Sequence, residues 1–155
     1  MINNKPENLK ECIEILENTI SKSDKEKIKK MSQLNFIVSQ HFGMGMDIRN
    51  AWGLWDENSP LIKYFQENNI TLHPDDYSGA ILKIFYRYLQ GEKLDFNNPE
   101  LIIYGEDLYL KRKEIDKIEK LNISKKEKQE KKLEILFPDI EKRKKFKKIL
   151  KEKVL

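Results

Sequence analysis

The chain has 155 residues, 39% of them hydrophobic and 36% charged, with 30 Lys+Arg set against 26 Asp+Glu. That length suits one domain or one domain with an appendage, and its aromatics and Ile/Leu are too abundant for a disordered chain. One cysteine and two histidines exclude a disulfide framework, a Cys-built zinc site and a His-rich metal centre, so no cofactor and no metal is expected.

The periodicity is helical almost throughout. Pro6 suits a first helical position, and Leu9, Cys12, Ile13, Leu16 and Ile20 then form one apolar stripe. Ser23-Asp-Lys-Glu26 reads as a capping box for a second helix through Ile28 and Met31. A third helix near residues 33–42 carries Leu34, Ile37, Val38, His41 and Phe42, and Gly43 is expected to end it in a left-handed turn. Met44-Gly45-Met46 reads as a tight connection, with Asp47 capping a short helix that holds Ile48, Arg49, Trp52 and Trp55. Ser59-Pro60 opens a helix with Leu61, Tyr64 and Phe65 on one face. His73-Pro74-Asp75-Asp76 opens a longer one, striped by Tyr77, Ile81, Ile84, Phe85 and Tyr88 and stopped by Gly91. Leu101–Tyr104 fits either a short helix or a strand. Helix follows over 106–122, and Ser124-Lys-Lys-Glu127 is a second capping box for a helix through Leu133 and Leu136. Pro138 breaks that helix, and the last carries Ile140, Phe146, Ile149, Leu150 and Val154. There is no hairpin signal and no internal repeat. The expected fold is all-α, a compact multi-helix core with a basic C-terminal helical extension.

Charge divides the chain. Residues 1–110 carry 12 Lys+Arg against 17 Asp+Glu, whereas residues 111–155 carry 18 against 9. Every Trp, His and Tyr lies before residue 111. The expected organisation is therefore an aromatic-rich core domain over 1–110 and a basic extension over 111–155, packed on or next to that core. The opening Met1–Glu7 has no apolar signal core, and no run of about 18 apolar residues exists. Neither export nor a membrane span is expected, and the expected location is cytoplasmic.

The densest unusual stretch runs from His41 to Trp55 and is followed by His73-Pro-Asp-Asp76. It resembles a small bacterial domain family of unknown function, whose pattern is roughly His-Phe-Gly-x-Gly-x-x-Ile-Arg-Asn-x-Trp-x-Leu-Trp and then His-Pro-Asp-Asp. The resemblance covers about the middle half of the chain and none of the basic tail. It implies a shared fold and brings no activity. Asp47 and Ala51 stand where bulkier or more amide-like residues are expected.

The same residues are the inventory of a polar pocket: His41, Arg49, Asn50, Trp52, Trp55, His73, Asp75 and Asp76. All but Asn50 have a plainer role. Asp75 and Asp76 suit the first turn of a helix, where carboxylates offset the macrodipole, and His73 suits its cap. Trp52 and Trp55, spaced i,i+3, are expected to share a helix face and plug the core. His41, beside Val38 and Phe42, reads as a buried hydrogen-bonded histidine. Arg49, flanked by Ile48 and Trp52, should be partly buried and so must be paired, with Asp75 or Asp76 as acceptors. The competing role for Arg49 is an anion clamp. Gly43-Met-Gly-Met46 lacks the context of a nucleotide loop. No nucleophile is evident, Cys12 lying on an apolar stripe, and no catalytic residue is assigned.

In the tail, Lys142, Arg143, Lys144, Lys145, Phe146, Lys147, Lys148 and Lys151 place many cations around one aromatic. Such a run suits an anionic protein surface, nucleic acid, or a membrane surface. The leading expectation is a non-enzymatic macromolecular binding protein, a small regulator, inhibitor or immunity-type protein, that engages an anionic partner through these helices. Two alternatives stand beside it. One is a pocket protein, a small-anion sensor or hydrolase-like enzyme centred on Arg49, His41, His73, Asp75 and Asp76; the other is nucleic-acid binding by the tail.

Overall fold

A computed structural model describes residue 2 and residues 4–153. Among the described residues there are ten helices and no strand: α1 (Leu9–Thr19), α2 (Lys22–Lys30), α3 (Gln33–Gln40), α4 (Met44–Ala51), α5 (Pro60–Glu67), α6 (Pro74–Leu89), α7 (Pro99–Tyr104), α8 (Glu106–Glu119), α9 (Lys125–Leu136) and α10 (Ile140–Lys153). The fold is all-α. The chain divides between Ile103 and Tyr104 into two compact units. Val154, expected on the last helix's apolar face, lies outside the described residues.

In the first unit α6 is the hub, and α1, α2, α3 and α4 all pack against it. Its inward residues Tyr77, Ile81, Leu82, Ile84 and Phe85 are buried, together with Leu9, Cys12, Ile13 and Leu16 of α1 and Leu61, Ile62 and Phe65 of α5. Aromatic and polar contacts fix the neighbours. Phe65 stacks on Tyr77 at 4.8 Å between centroids, and the Tyr77 hydroxyl donates to the Ile70 carbonyl at 3.0 Å. The Tyr86 hydroxyl donates to the Met31 carbonyl at 2.8 Å, anchoring the end of α2, where an orphan carbonyl needs a partner. Arg87 holds Glu92 and donates to the Ile102 carbonyl, which ties α7 to the end of α6.

Several local expectations are corrected. Pro6 is buried ahead of α1, and the helix is capped by Asn8, whose Oδ1 accepts the Glu11 N–H at 3.0 Å. The α2 cap is Ser21 with Asp24, because α1 runs to Thr19 and leaves only Ile20 and Ser21 extended; Ser23 falls inside the first turn. Gly43 is not left-handed: its φ is −99° and it is the N-cap of α4, so Met44-Gly45-Met46 forms the first turn of that helix and Asp47 lies within it. The face of α3 is also different. Phe36 is fully buried and stacks on Tyr86 at 6.2 Å, while Leu34, Val38 and Phe42 are 70%, 66% and 79% exposed. With apolar residues on both sides of this short helix, the packing of α6 selects Phe36.

Leu101–Tyr104 is helical, as part of α7. In the second unit α8 and α9 pack on each other across a short connection. Here the capping box is present as expected: Ser124 Oγ accepts the Glu127 N–H at 3.2 Å and the Glu127 carboxylate accepts the Ser124 N–H at 2.9 Å. The helix over 106–122 stops at Glu119. Leu133 alone among the described residues of α8, α9 and α10 is buried.

Candidate functional site

Arg49 is 4% exposed, and each of its three guanidinium nitrogens has a partner in the protein. Nε lies 3.2 Å from Asp75 Oδ1, Nη1 donates to Ser78 Oγ at 2.8 Å, and Nη2 donates to the His41 carbonyl at 3.0 Å. Ser78 Oγ in turn donates to the Asp75 carbonyl at 2.9 Å. A planar fork with fixed donor directions can satisfy acceptors on separate elements at once. One side chain of α4 thereby joins the end of α3 to the start of α6.

Glycine makes room for it. A Cβ on Gly45 would sit 3.0 Å from the Gln40 carbonyl oxygen and 3.2 Å from Arg49 Nη1. The first turn of α4 therefore passes close to the end of α3 only because position 45 has no side chain. Ile48 and Trp52, on either side of Arg49, are buried and exclude water from the guanidinium.

The other residues of the expected pocket divide between core and surface, and a chain of contacts joins Trp55, His73 and Asp75 to Arg49 and on to His41. His73 caps α6, its Nδ1 accepting the Asp75 N–H at 3.2 Å, and its exposed ring meets Trp55 edge-on at 5.9 Å. Asp75 carries the ion pair to Arg49, whereas Asp76 is exposed. His41 is half-buried, contributes its carbonyl to Arg49, and sets its ring edge-on to Phe42 at 4.7 Å. Asn50 is exposed. Trp52 and Trp55 do not share a helix face, because α4 ends at Ala51 and Gly53 turns the chain at a φ of +70°. Trp52 is buried and Trp55 is 57% exposed. Among the described residues, cavities of about 430 to 620 Å³ are lined by other side chains. Cys12 is fully buried, and burial pushes its thiol well above the ordinary value, so its thiolate is suppressed. Among the described residues no three His, Cys, Asp or Glu side chains gather as a metal site would require.

Ser78 is the clamp residue that sequence reasoning missed. The available signal was its i,i+3 spacing from Asp75, which puts both on one side of the α6 N-terminus.

The basic residues of α10 separate into two sets. Arg143 reaches Glu134 at 3.7 Å and donates to the Pro138 carbonyl, and Phe146 packs on Phe137 at 4.9 Å. Lys147 and Lys151 flank Leu150 on the side that faces Leu133 of α9. Lys144 pairs with Glu141 at 3.3 Å. Lys142, Lys145 and Lys148 are exposed and have no carboxylate partner among the described residues, and Ile149 beside them is 48% exposed. In α9, by contrast, Lys132 pairs with Glu119 of α8, and Lys128 Nζ donates to the Glu119 carbonyl at 2.7 Å.

Residues 5–89 match a family described as a domain of unknown function, DUF6794. The chain belongs to this family. No curated protein and no solved structure matches it. The DUF6794 region runs from ahead of α1 to the last residue of α6, and so contains the whole Arg49 clamp and none of α8, α9 or α10. Expected membership in a family of unknown function is thereby met, with the match reaching further toward the N-terminus than the middle of the chain.

Proposed function

We propose that this protein is a non-enzymatic binding protein that engages an anionic macromolecular surface through α10. The observation that carries this reading is the outward face of Lys142, Lys145 and Lys148, cations without carboxylate partners among the described residues, with Ile149 exposed beside them. The second unit supplies the field behind them, with 18 Lys+Arg against 11 Asp+Glu in residues 104–155. Such a face steers an acidic partner toward it and sets the encounter rate.

The partner class favoured is a protein surface rich in Asp and Glu, met in the cytoplasm by a small regulator, inhibitor or immunity-type protein. Against an enzymatic reading, the buried guanidinium of the polar cluster meets the protein's own groups at each of its three nitrogens, which sets a ligand in competition with them.

The test uses full-length tagged protein, a cell lysate with and without nuclease, and the double variant Lys145→Glu/Lys148→Glu. These positions are chosen because Lys144 already answers to Glu141. The expected result is capture of a discrete acidic protein that survives nuclease and is lost in the double variant, with an unchanged thermal midpoint. Capture at full strength by the double variant overturns the reading. Loss of the partner on nuclease treatment transfers the basic face to nucleic acid, and the slope of log K against log salt then counts the phosphates engaged.

A further inference from the structure

Between α9 and α10 the second unit holds a cavity of about 430 Å³, a volume within the range of small-molecule sites. Lys126, Gln129, Glu130 and Leu133 line it from α9, and Lys147, Leu150 and Lys151 from α10. Leu133 is 8% exposed and Leu150 36%, so the floor is apolar. The rim is cationic: three ammonium groups stand against the single carboxylate of Glu130, and none of these groups forms an ion pair among the described residues. Lys147 and Lys151 lie one turn apart on α10, where like charges repel. Elsewhere in the unit lysines are relieved, Lys111 by Asp107 and Lys132 by Glu119. Around this cavity they are not.

We infer that the cavity is a binding site for a small organic anion with one charged head and an apolar body, of which a medium-chain carboxylate is the simplest member. The head lies among Lys126, Lys147 and Lys151, where one anion answers several ammonium groups and relieves the repulsion between them. The apolar body covers Leu133 and Leu150 and displaces water from them. The aliphatic stems of the three lysines extend that apolar wall below their charged tips. Both halves of the lining are thereby used. A bare inorganic ion leaves the floor wet, and a neutral alcohol leaves the cations unanswered. The site uses none of Lys142, Lys145 and Lys148 and stands apart from the proposed function.

Titration of the full-length protein with sodium octanoate below its micelle concentration, followed by amide and methyl NMR, tests the site. Saturable shifts are expected at Gln129, Leu133 and Leu150, with a dissociation constant of roughly 0.1–5 mM. Lys147→Gln/Lys151→Gln, at two exposed positions, is expected to weaken binding roughly tenfold with unchanged helicity. Lys117→Gln/Lys120→Gln removes the same charge at the end of α8, outside the cavity, and is expected to bind like the wild type. 1-Octanol, which lacks the charge, and acetate, which lacks the tail, are each expected to bind several-fold more weakly than octanoate. Octanoate that causes no saturable shift at those three residues overturns the inference, as does equal binding by 1-octanol or by Lys147→Gln/Lys151→Gln. Equal weakening in Lys117→Gln/Lys120→Gln reduces the effect to net charge and overturns it too. Phosphatidylglycerol vesicles distinguish the source of the anion: cosedimentation with them, without any response to free octanoate, overturns the free-anion site in favour of a lipid headgroup.

Discussion

The two units of this chain hold themselves together by different means. In the first, α6 gathers four other helices, and Phe36, Phe65, Phe85 and Trp52 are all but completely buried. In the second, Leu133 is the buried residue of three helices, while Leu110, Leu121, Leu136, Ile140 and Ile149 remain exposed. There the helices rest on local devices instead: the Ser124 capping box, the i,i+4 pair of Lys111 and Asp107 at 2.9 Å, and Arg112 over the Tyr104 ring at 4.0 Å. Local devices contribute tenths of a kcal/mol to about 1 kcal/mol each, whereas a buried large side chain contributes several times that. The first unit is therefore expected to unfold cooperatively, and the second to fray by segments.

Truncation of the cores tests this difference at its largest. Phe36→Ala is expected to lower the unfolding free energy by about 3–5 kcal/mol, and Leu133→Ala by no more than about 2 kcal/mol. Urea denaturation followed by circular dichroism, with amide exchange to assign the loss, compares them. Equal losses would erase the distinction between the units.

Arg49→Met comes next. It leaves Ser78 and the His41 carbonyl without their donor, while Asp75, half exposed, recovers water. The expected cost is about 2–4 kcal/mol, below that of stranding a fully buried charge. Arg49→Lys is expected to recover little of it, since one ammonium cannot reproduce a three-way fork. Denaturation midpoints decide, and a wild-type midpoint in Arg49→Met would remove the clamp from the account of the fold.

Two glycine substitutions give opposite signs within the same unit. Gly45→Ala drives a Cβ against the Gln40 carbonyl and Arg49 Nη1 and is expected to destabilise by about 1–3 kcal/mol. Gly79, inside α6, has open space around it, so Gly79→Ala is expected to stabilise by up to about 1 kcal/mol. Thermal melts of the pair are the measurement, and a stabilised Gly45→Ala would mean the close approach of α3 and α4 is not tight.

The smallest effect belongs to the second unit. Ser124→Ala is expected to cost about 1 kcal/mol and to fray the start of α9. The Ser124 hydroxyl, with its backbone N–H, holds the Glu127 carboxyl below the ordinary glutamate value. Its contribution is therefore present above the unfolded pKa and is lost as pH falls through the lowered folded one. The protection factors of amides in the first turn of α9, with exchange corrected for the intrinsic rate at each pH, are expected to fall on acidification in the wild type. In Ser124→Ala they should be low at every pH.

What was legible in the sequence was whatever a few neighbouring residues decide. Ser59-Pro60, His73-Pro74 and Ser124 with Glu127 open their helices where expected, because a cap needs only its own first turn. The α2 cap was not legible: Ser23 was expected and Ser21 serves, because α1 runs to Thr19 and leaves only Ile20 and Ser21 to make the connection. The face of α3 was not legible: Leu34, Phe36, Ile37 and Val38 surround the helix, and their pattern has no preferred phase until α6 presents Tyr86. Trp52 and Trp55 parted because the helix between them ends at Ala51.

The order of residues in this chain by itself determined an all-helical fold and the concentration of positive charge toward its C-terminus, since both follow from periodicity and from counting along the chain. That Arg49 would need a partner also followed, from the cost of burying a guanidinium unpaired. The choice of Asp75 over Asp76, the recruitment of Ser78 and the His41 carbonyl, and the exposure of Leu34, Val38 and Phe42 were decided only by tertiary structure. Each depends on where a second helix stands, and that position is set by the packing of residues far apart in the chain.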